Sequence, residues 1–351
     1  YILHYNHVTL YIKGIKYGRK YIISNTMSMI KSATMKKNRK ELSITSPSRL
    51  HLGFYGFDDN YGYKYGSMGL AINAYKTSLS IKKSKSFVSN VPKRFITPIL
   101  KYLKLNKVDS NFEINLQSNP PSHIGLGSGS QLSLCVGKSI FSHLGIKSSI
   151  NDIANIYNRG ERSGTGIRIF DRGGFVVDAC KKNNTLPETM FNSKFPTEWK
   201  IILINDNSLK GTSGNKEIKF FNQNINLSKH YKSELSHIAL RGILPSIIYK
   251  DFSNFSKNIS EFQRITSLFY KDKQSGVFLS RNISEIMKYI GNYDNLGIGQ
   301  SSWGPMSYII VESNLHAKEL ISIIQNKFNV YNNLTFKIAS PWNSGFKISY
   351  K

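Results

Sequence analysis

Acidic residues are scarce in this 351-residue chain: 21 Asp and Glu stand against 48 Lys and Arg, a formal net charge of +27. Cysteine is nearly absent. Cys135 and Cys180 each sit inside an apolar-patterned segment, which excludes a disulfide framework and fits a reducing cytoplasm. No Cys/His cluster has the spacing of a zinc site. No uninterrupted apolar run approaches the roughly 20 residues of a membrane span, so a soluble protein with no membrane partner is expected. What the chain does have is a hydrophobic content of 40%, enough for a real core, and a length that accommodates two domains.

The basic excess could serve nucleic acid or an anionic surface. The lysines, however, are scattered among abundant Asn, Ile and Tyr, as an AT-rich genome would encode, with no basic stripe interleaved with aromatics. Compositional bias therefore accounts for most of the charge, and no nucleic-acid partner is expected. A smaller share would gather polyanionic small substrates. Residues 1–40 hold nine Lys or Arg and no acidic residue, and Met27, Met29 or Met35 could each be the initiator. This basic extension, which lacks the apolar core of a signal peptide, is expected to lie outside the fold.

Period-2 alternation predicts strands at Leu42–Phe54 (interrupted at Pro47), after the Gly/Tyr loop that starts at Tyr61, and at Phe112–Leu116. GGFVVDAC, WKIILIND, MSYIIVE and Phe336–Ile338 are further strands, the last closing the chain. Helical spacing runs over Leu132–Leu144 with Gly145 as its stop, over a short segment opened by Asn151, through much of 228–290, and over Ala317–Phe328. Strands and helices without a regular βαβ rhythm indicate an α+β fold. WKIILIND starts a second half, which divides the chain into domains at 41–198 and 199–351.

Chemistry concentrates in small-residue stretches. PPSHIGLGSGSQ (Pro120–Gln131) lies between a strand and a helix, so its backbone N–H groups and the positive end of the helix dipole form an anion site. Gly125, Gly127 and Gly129 would let a phosphate approach the backbone, with Ser128 and Ser130 capping the helix or donating to the ligand. The spacing is neither that of a Walker loop nor a Rossmann fingerprint. SRLHLG places Arg49 and His51 on one strand face, opposite Leu50 and Leu52. RGERSGTGIRIFDRGG concentrates Arg159, Arg162, Arg168 and Arg172 in what reads as a flexible loop, suited to bidentate recognition of phosphate or carboxylate. LKGTSGNKE and GIGQSSWGP are two more small-residue loops.

Taken in order, SRLHLG, GSMGLAI, PPSHIGLGSGSQ, RSGTGI with GGFVVD, GTSGNKE and GQSSWGP resemble the β-ribofuranosylaminobenzene 5′-phosphate synthases of the GHMP kinase superfamily, over roughly residues 42 to 351. The resemblance implies a ribosomal-protein-like N-terminal domain, a ferredoxin-like C-terminal domain, a site between them, Mg2+ and a homodimer. It also implies a reaction of methanopterin biosynthesis, in which phosphoribosyl diphosphate and 4-aminobenzoate or 4-hydroxybenzoate are joined with release of diphosphate and carbon dioxide. Carried over, Gly125, Gly127, Ser128, Gly129 and Ser130 would hold phosphate. Arg49, His51, Arg162 and Ser163 would line the reacting centre, with Arg159, Gln300 and Ser301 on the substrate.

One departure separates this chain from the superfamily's kinases. Those carry an aspartate shortly after the Ser-Gly turn of their second motif, whereas Ser163-Gly164 is followed by Thr165, Gly166, Ile167 and Arg168, with Asp171 only later. A kinase so built lacks its base. A decarboxylative ribosyl transfer needs no ring-proton base, because carbon dioxide leaves in place of a proton. An ATP-dependent small-molecule kinase and a basic RNA-binding protein remain as alternatives, distinguished by ATP turnover and by steeply salt-dependent RNA binding.

Overall fold

A computed structural model describes residues 41–57, 62–183, 185–211, 227–270, 274, 276–291 and 293–351. The basic extension, Tyr61 and residues 212–217 of the LKGTSGNKE stretch lie outside the described residues.

The first alternating run becomes β1 (Glu41–Phe54), antiparallel to β2 (Ser67–Lys83). Pro47 does not divide β1. Instead the pairing slips between Ser46 and Ser48, so the residue without an N–H sits where no ladder bond is required. Such a slip also exchanges strand faces. Leu42 and Ile44 belong to the core under the neighbouring helices, whereas Leu50 and Leu52 belong to a core shared with a second sheet. Arg49 and His51 are thereby turned to the helical side.

Along the other edge of β2 run β4 (Phe112–Ser118) and β5 (Phe175–Asp178), with β3 (Val88–Ser89) on β4 and β6 (Thr189–Ser193) on β5. α1 (Lys93–Leu105), α2 (Ser128–His143), α3 (Ile150–Ile156) and α4 (Thr165–Arg172) cover this sheet. α3 is opened by Ser149 in a capping box with Asp152, two residues before the expected Asn151. α4 occupies half of the stretch expected to be a loop.

The second sheet has the order β10 (Leu334–Ala339), β7 (Lys200–Asp206), β9 (Ser307–Val311), β8 (Gly297–Gln300). The GIGQ of the expected GIGQSSWGP loop is thus strand. α5 (Lys229–His237), a π-helical turn (Ile238–Ile243), α6 (Leu244–Tyr249) and α7 (Phe252–Leu268) pack on one side of it. Phe255, Ile259 and Phe262 of α7 join Trp199, Tyr308 and Leu50 in one core, each buried side chain contributing roughly 1.5–3 kcal/mol. α8 (Arg281–Ile290) and α9 (Asn314–Lys327) cover the other side.

The chain does not close at Phe336–Ile338. β11 (Lys347–Tyr350) returns to the first sheet and pairs with Leu42–Thr45 on the outer edge of β1. Further along, the same edge receives two loops: Arg49 N donates to the carbonyl of Leu126 at 3.1 Å, and Ser302 N donates to the carbonyl of His51 at 3.2 Å. This edge brings the distant glycine motifs together.

Candidate active site

A cleft of about 410 Å³ opens where these loops meet. Its floor is the glycine stretch. Gly125 and Gly127 have φ of +96° and +70°, in the left-handed region that a side chain disfavours. Close approach is the second constraint: a Cβ on Gly125 would lie 2.4 Å from the carbonyl oxygen of Ser301. Gly127 is the N-cap of α2, so Ser128 and Gly129 open a helix first turn with N–H groups that lack intrahelical acceptors, while Ser130 N donates to the Gly127 carbonyl at 3.0 Å. Ser128, Gly129 and Ser130 all line the cleft.

The cleft walls are cationic. Arg49, Arg94 and Arg159 line it, and among the described residues no carboxylate does. Arg159 donates through Nε and Nη2 to Ser133 Oγ at 3.3 and 3.0 Å, which fixes its fork beside Gly129. Burial lowers its pKa, and the nearby Arg94 charge acts in the same direction, so an anion between these guanidinia would be strongly favoured. Arg94 comes from α1 and was not anticipated. Its signal was an arginine within the otherwise lysine-bearing helix KRFITPILKYLKL.

His51 is 3% exposed. Its pKa is held well below the ordinary 6.5, first by burial and then by the Arg49 and Arg162 charges. Gly53 N donates to Nδ1 at 3.2 Å, so the ring is neutral with its proton on Nε2. Arg162 thus stands within electrostatic reach of His51, and neither residue is part of the cleft lining. Ser301 is fully buried. Its Oγ donates to the carbonyl of Gly125 at 2.7 Å and accepts from His51 N at 2.9 Å. Gln300 is placed beneath the turn: Oε1 accepts from Leu279 N at 2.7 Å, and Nε2 donates to Gln274 Oε1 at 3.3 Å. It supports Ser301 and Ser302 from the interior and does not line the cleft.

The other two arginines of the second motif are elsewhere. Arg168 is buried, bonded to Asn151 Oδ1, the carbonyl of Pro187 and Glu188 Oε2; Arg172 pairs with Asp171. A carboxylate that pattern reading passed over lies under the Ser163-Gly164 turn. Asp178, fully buried, accepts from Ser67 N at 2.9 Å, Ser67 Oγ at 2.6 Å and Gly164 N at 2.8 Å. Burial pushes its pKa up to about 6 against these bonds. Within the hydrophobic strand FVVD it reads as a strand terminus, which hid it.

Among the described residues no group of three or more His, Cys, Asp or Glu side chains could hold a metal ion. With no carboxylate among the described residues of the cleft, the side chains there do not fit a protein-held Mg2+. No helix among the described residues is long and apolar enough to cross a membrane.

A family model described as GHMP kinases N terminal domain matches residues 90–171. The β-ribofuranosylphenol 5′-phosphate synthase of Archaeoglobus fulgidus is 30% identical over 291 residues, covering 78% of this chain and 88% of that protein. The synthase of the same name from Methanothermobacter thermautotrophicus is 28% identical over 297 residues, covering 78% and 89%. Among solved structures, homoserine kinase from Cytophaga hutchinsonii superposes with a TM-score of 0.63 at 14% identity, over 91% of this chain and 100% of that one. Mevalonate diphosphate decarboxylase from Staphylococcus aureus gives 0.62 at 16%, over 88% and 98%.

Proposed function

Because this chain belongs to the β-ribofuranosylphenol 5′-phosphate synthase family and has the GHMP-kinase fold, we propose that its cleft joins phosphoribosyl diphosphate to 4-hydroxybenzoate. Diphosphate and carbon dioxide leave, in a reaction early in methanopterin biosynthesis. The observation that carries this reading is the composition of the cleft: a glycine cradle at a helix N-terminus faced by three arginines, with no carboxylate among the described residues. Diphosphate departure from ribose C1 needs anion stabilisation, which the first turn of α2 and the Arg94–Arg159 pair supply. The benzoate is a second anion, and Arg49 with Arg162 beside neutral His51 orient it.

The kinase alternative is less favoured. The positions after Ser163-Gly164 are the first turn of α4, occupied by Thr165 and Gly166, and Asp171 lies near the far end of that helix. We extend the reading to a cytoplasmic homodimer whose diphosphate substrate arrives as its magnesium complex. Light scattering and an EDTA titration test those extensions. The reaction itself is tested with carboxyl-labelled 4-hydroxybenzoate: labelled carbon dioxide and diphosphate should appear in equal amounts, with a carbon–carbon bond from ribose to ring. Diphosphate release without decarboxylation would contradict it.

A further inference from the structure

Asp178 is the buried end of a row of hydroxyls. Ser67 Oγ donates to its Oδ2 at 2.6 Å, Ser163 Oγ stands 2.7 Å from Ser67 Oγ, and Thr165 Oγ1 stands 2.7 Å from Ser163 Oγ. The row runs from a fully buried carboxylate to the half-buried Ser163. Its residues stand one layer behind the cleft lining. Arg162, adjacent to Ser163, acts on His51. Thr165 packs on Gly69, the β2 partner of His51. The next residue, Gly166, faces Ser130 and Arg49.

We propose that the Ser163–Ser67–Asp178 row is a proton relay that ionises the 4-hydroxyl group of the aromatic acceptor. This rests on the synthase reading above and names what that reading leaves open, namely where the phenol proton goes. Ser163 Oγ takes the proton from the phenol oxygen as its own passes to Ser67 Oγ and that of Ser67 passes to the Asp178 carboxylate. The phenolate pushes electron density to the ring carbon that bears the carboxylate. That carbon bonds to ribose C1 while the C1–O bond to diphosphate breaks, leaving a dienone. Carbon dioxide departs, its bonding pair returns the ring to a phenolate, and the proton comes back along the row. No oxidant or further reactant is consumed. Before attack, a 4-amino group needs no such step, because its lone pair is already available.

Asp178 suits this role because it is the group in its cluster that titrates near neutrality, at about pH 6. Its titratable neighbours are Tyr55, whose hydroxyl donates to the Asp178 carbonyl at 2.6 Å, and Cys180, whose thiol donates to Tyr55 at 3.3 Å. Burial raises both of these pKa values, so both stay protonated. A purely structural role is the competing account, since Asp178 also anchors the start of α4 through Gly164 N.

The test compares wild type with Ser67→Ala, which cuts the row without touching the Gly164 bond, and with Asp178→Asn. The acceptors are 4-hydroxybenzoate and its 3-fluoro and 3,5-difluoro derivatives, whose phenols are progressively more acidic. With 4-hydroxybenzoate both variants should lose about 100-fold in kcat, the lower end of general-base effects, with little change in KM for phosphoribosyl diphosphate. The deficit should shrink along the fluorinated series, and the wild-type rise of kcat through about pH 6 should vanish in Asp178→Asn. A deficit of equal size for all three acceptors, or none in Ser67→Ala, overturns the relay while leaving the synthase assignment intact. Failure of the wild type to form product with any acceptor would instead strike the assignment itself.

Discussion

Ser301 Oγ donates to the carbonyl of Gly125 at 2.7 Å, a bond between residues 176 positions apart that fastens the second sheet's turn to the phosphate cradle. Because the same oxygen accepts from buried His51 N, Ser301→Ala removes the partner of a buried N–H and of the part-buried Gly125 carbonyl. We expect it to lower stability by about 1–3 kcal/mol and to reduce kcat/KM further than that loss explains. Urea denaturation and steady-state kinetics on the folded fraction check both parts.

Gly129 tests the cradle without backbone strain. Its φ is not positive, and the nearest atoms to an added Cβ are the Arg159 Nη atoms, at 3.6 and 3.8 Å. Gly129→Val should therefore fold, yet it fills the space between the loop and the guanidinium. Affinity for phosphoribosyl diphosphate, read by calorimetry, should fall at least tenfold. An unchanged affinity would remove the loop from the phosphate site. Gly127 is a poorer probe, because its φ of +70° confounds strain with contact.

Arg159 and Arg168 sit in one motif but should respond oppositely. Arg159→Lys keeps the charge and loses the planar fork, so kcat/KM should drop strongly with the melting temperature nearly unchanged. Arg168→Met removes bonds to Asn151, Pro187 and the largely exposed Glu188. It should cost about 1–2 kcal/mol of stability with activity per folded molecule retained.

His51 gives stability a pH dependence of definite sign. Its folded pKa lies well below the ordinary 6.5, so below about pH 6.5 the unfolded chain binds a proton that the native protein refuses. Stability is complete above 6.5 and falls as pH drops toward the folded value. His51→Asn retains an acceptor for Gly53 N and should flatten this slope between pH 6.5 and 5. Chemical denaturation at stepped pH measures it; an unaltered slope would assign the dependence to other groups such as His143, whose pKa burial also lowers.

The strand, glycine loop and helix over 112–145 were legible because periods of 2 and 3.6 flank residues with positive φ. Tertiary pairing hid the rest. The residues of α4 are too few, and too closely flanked by Gly164 and Gly173, to show helical periodicity. KISY carries too little apolar signal to announce β11, which exists because β1 offers it an edge. Arg94 looks like surface charge until α1 is laid against the cradle. Gln300 looked like a ligand contact beside Ser301, yet alternation along β8 turns it inward. Asp178 needed Ser67 and Gly164 beside it, from segments 111 and 14 residues away.

The pairing of β11 with β1 also sets an order of events during synthesis. Residues that emerge from the ribosome as β1 wait for partners roughly 300 residues downstream, about 15–60 s at ordinary elongation rates. Over that interval the nascent chain carries an open strand edge, the feature most prone to stray pairing between chains. Position 301, which completes the cradle on that edge, arrives only shortly before the strand that seals it. Catalytic competence therefore waits on residues 301 and 347–350, long after β1 and the glycine loop have been made.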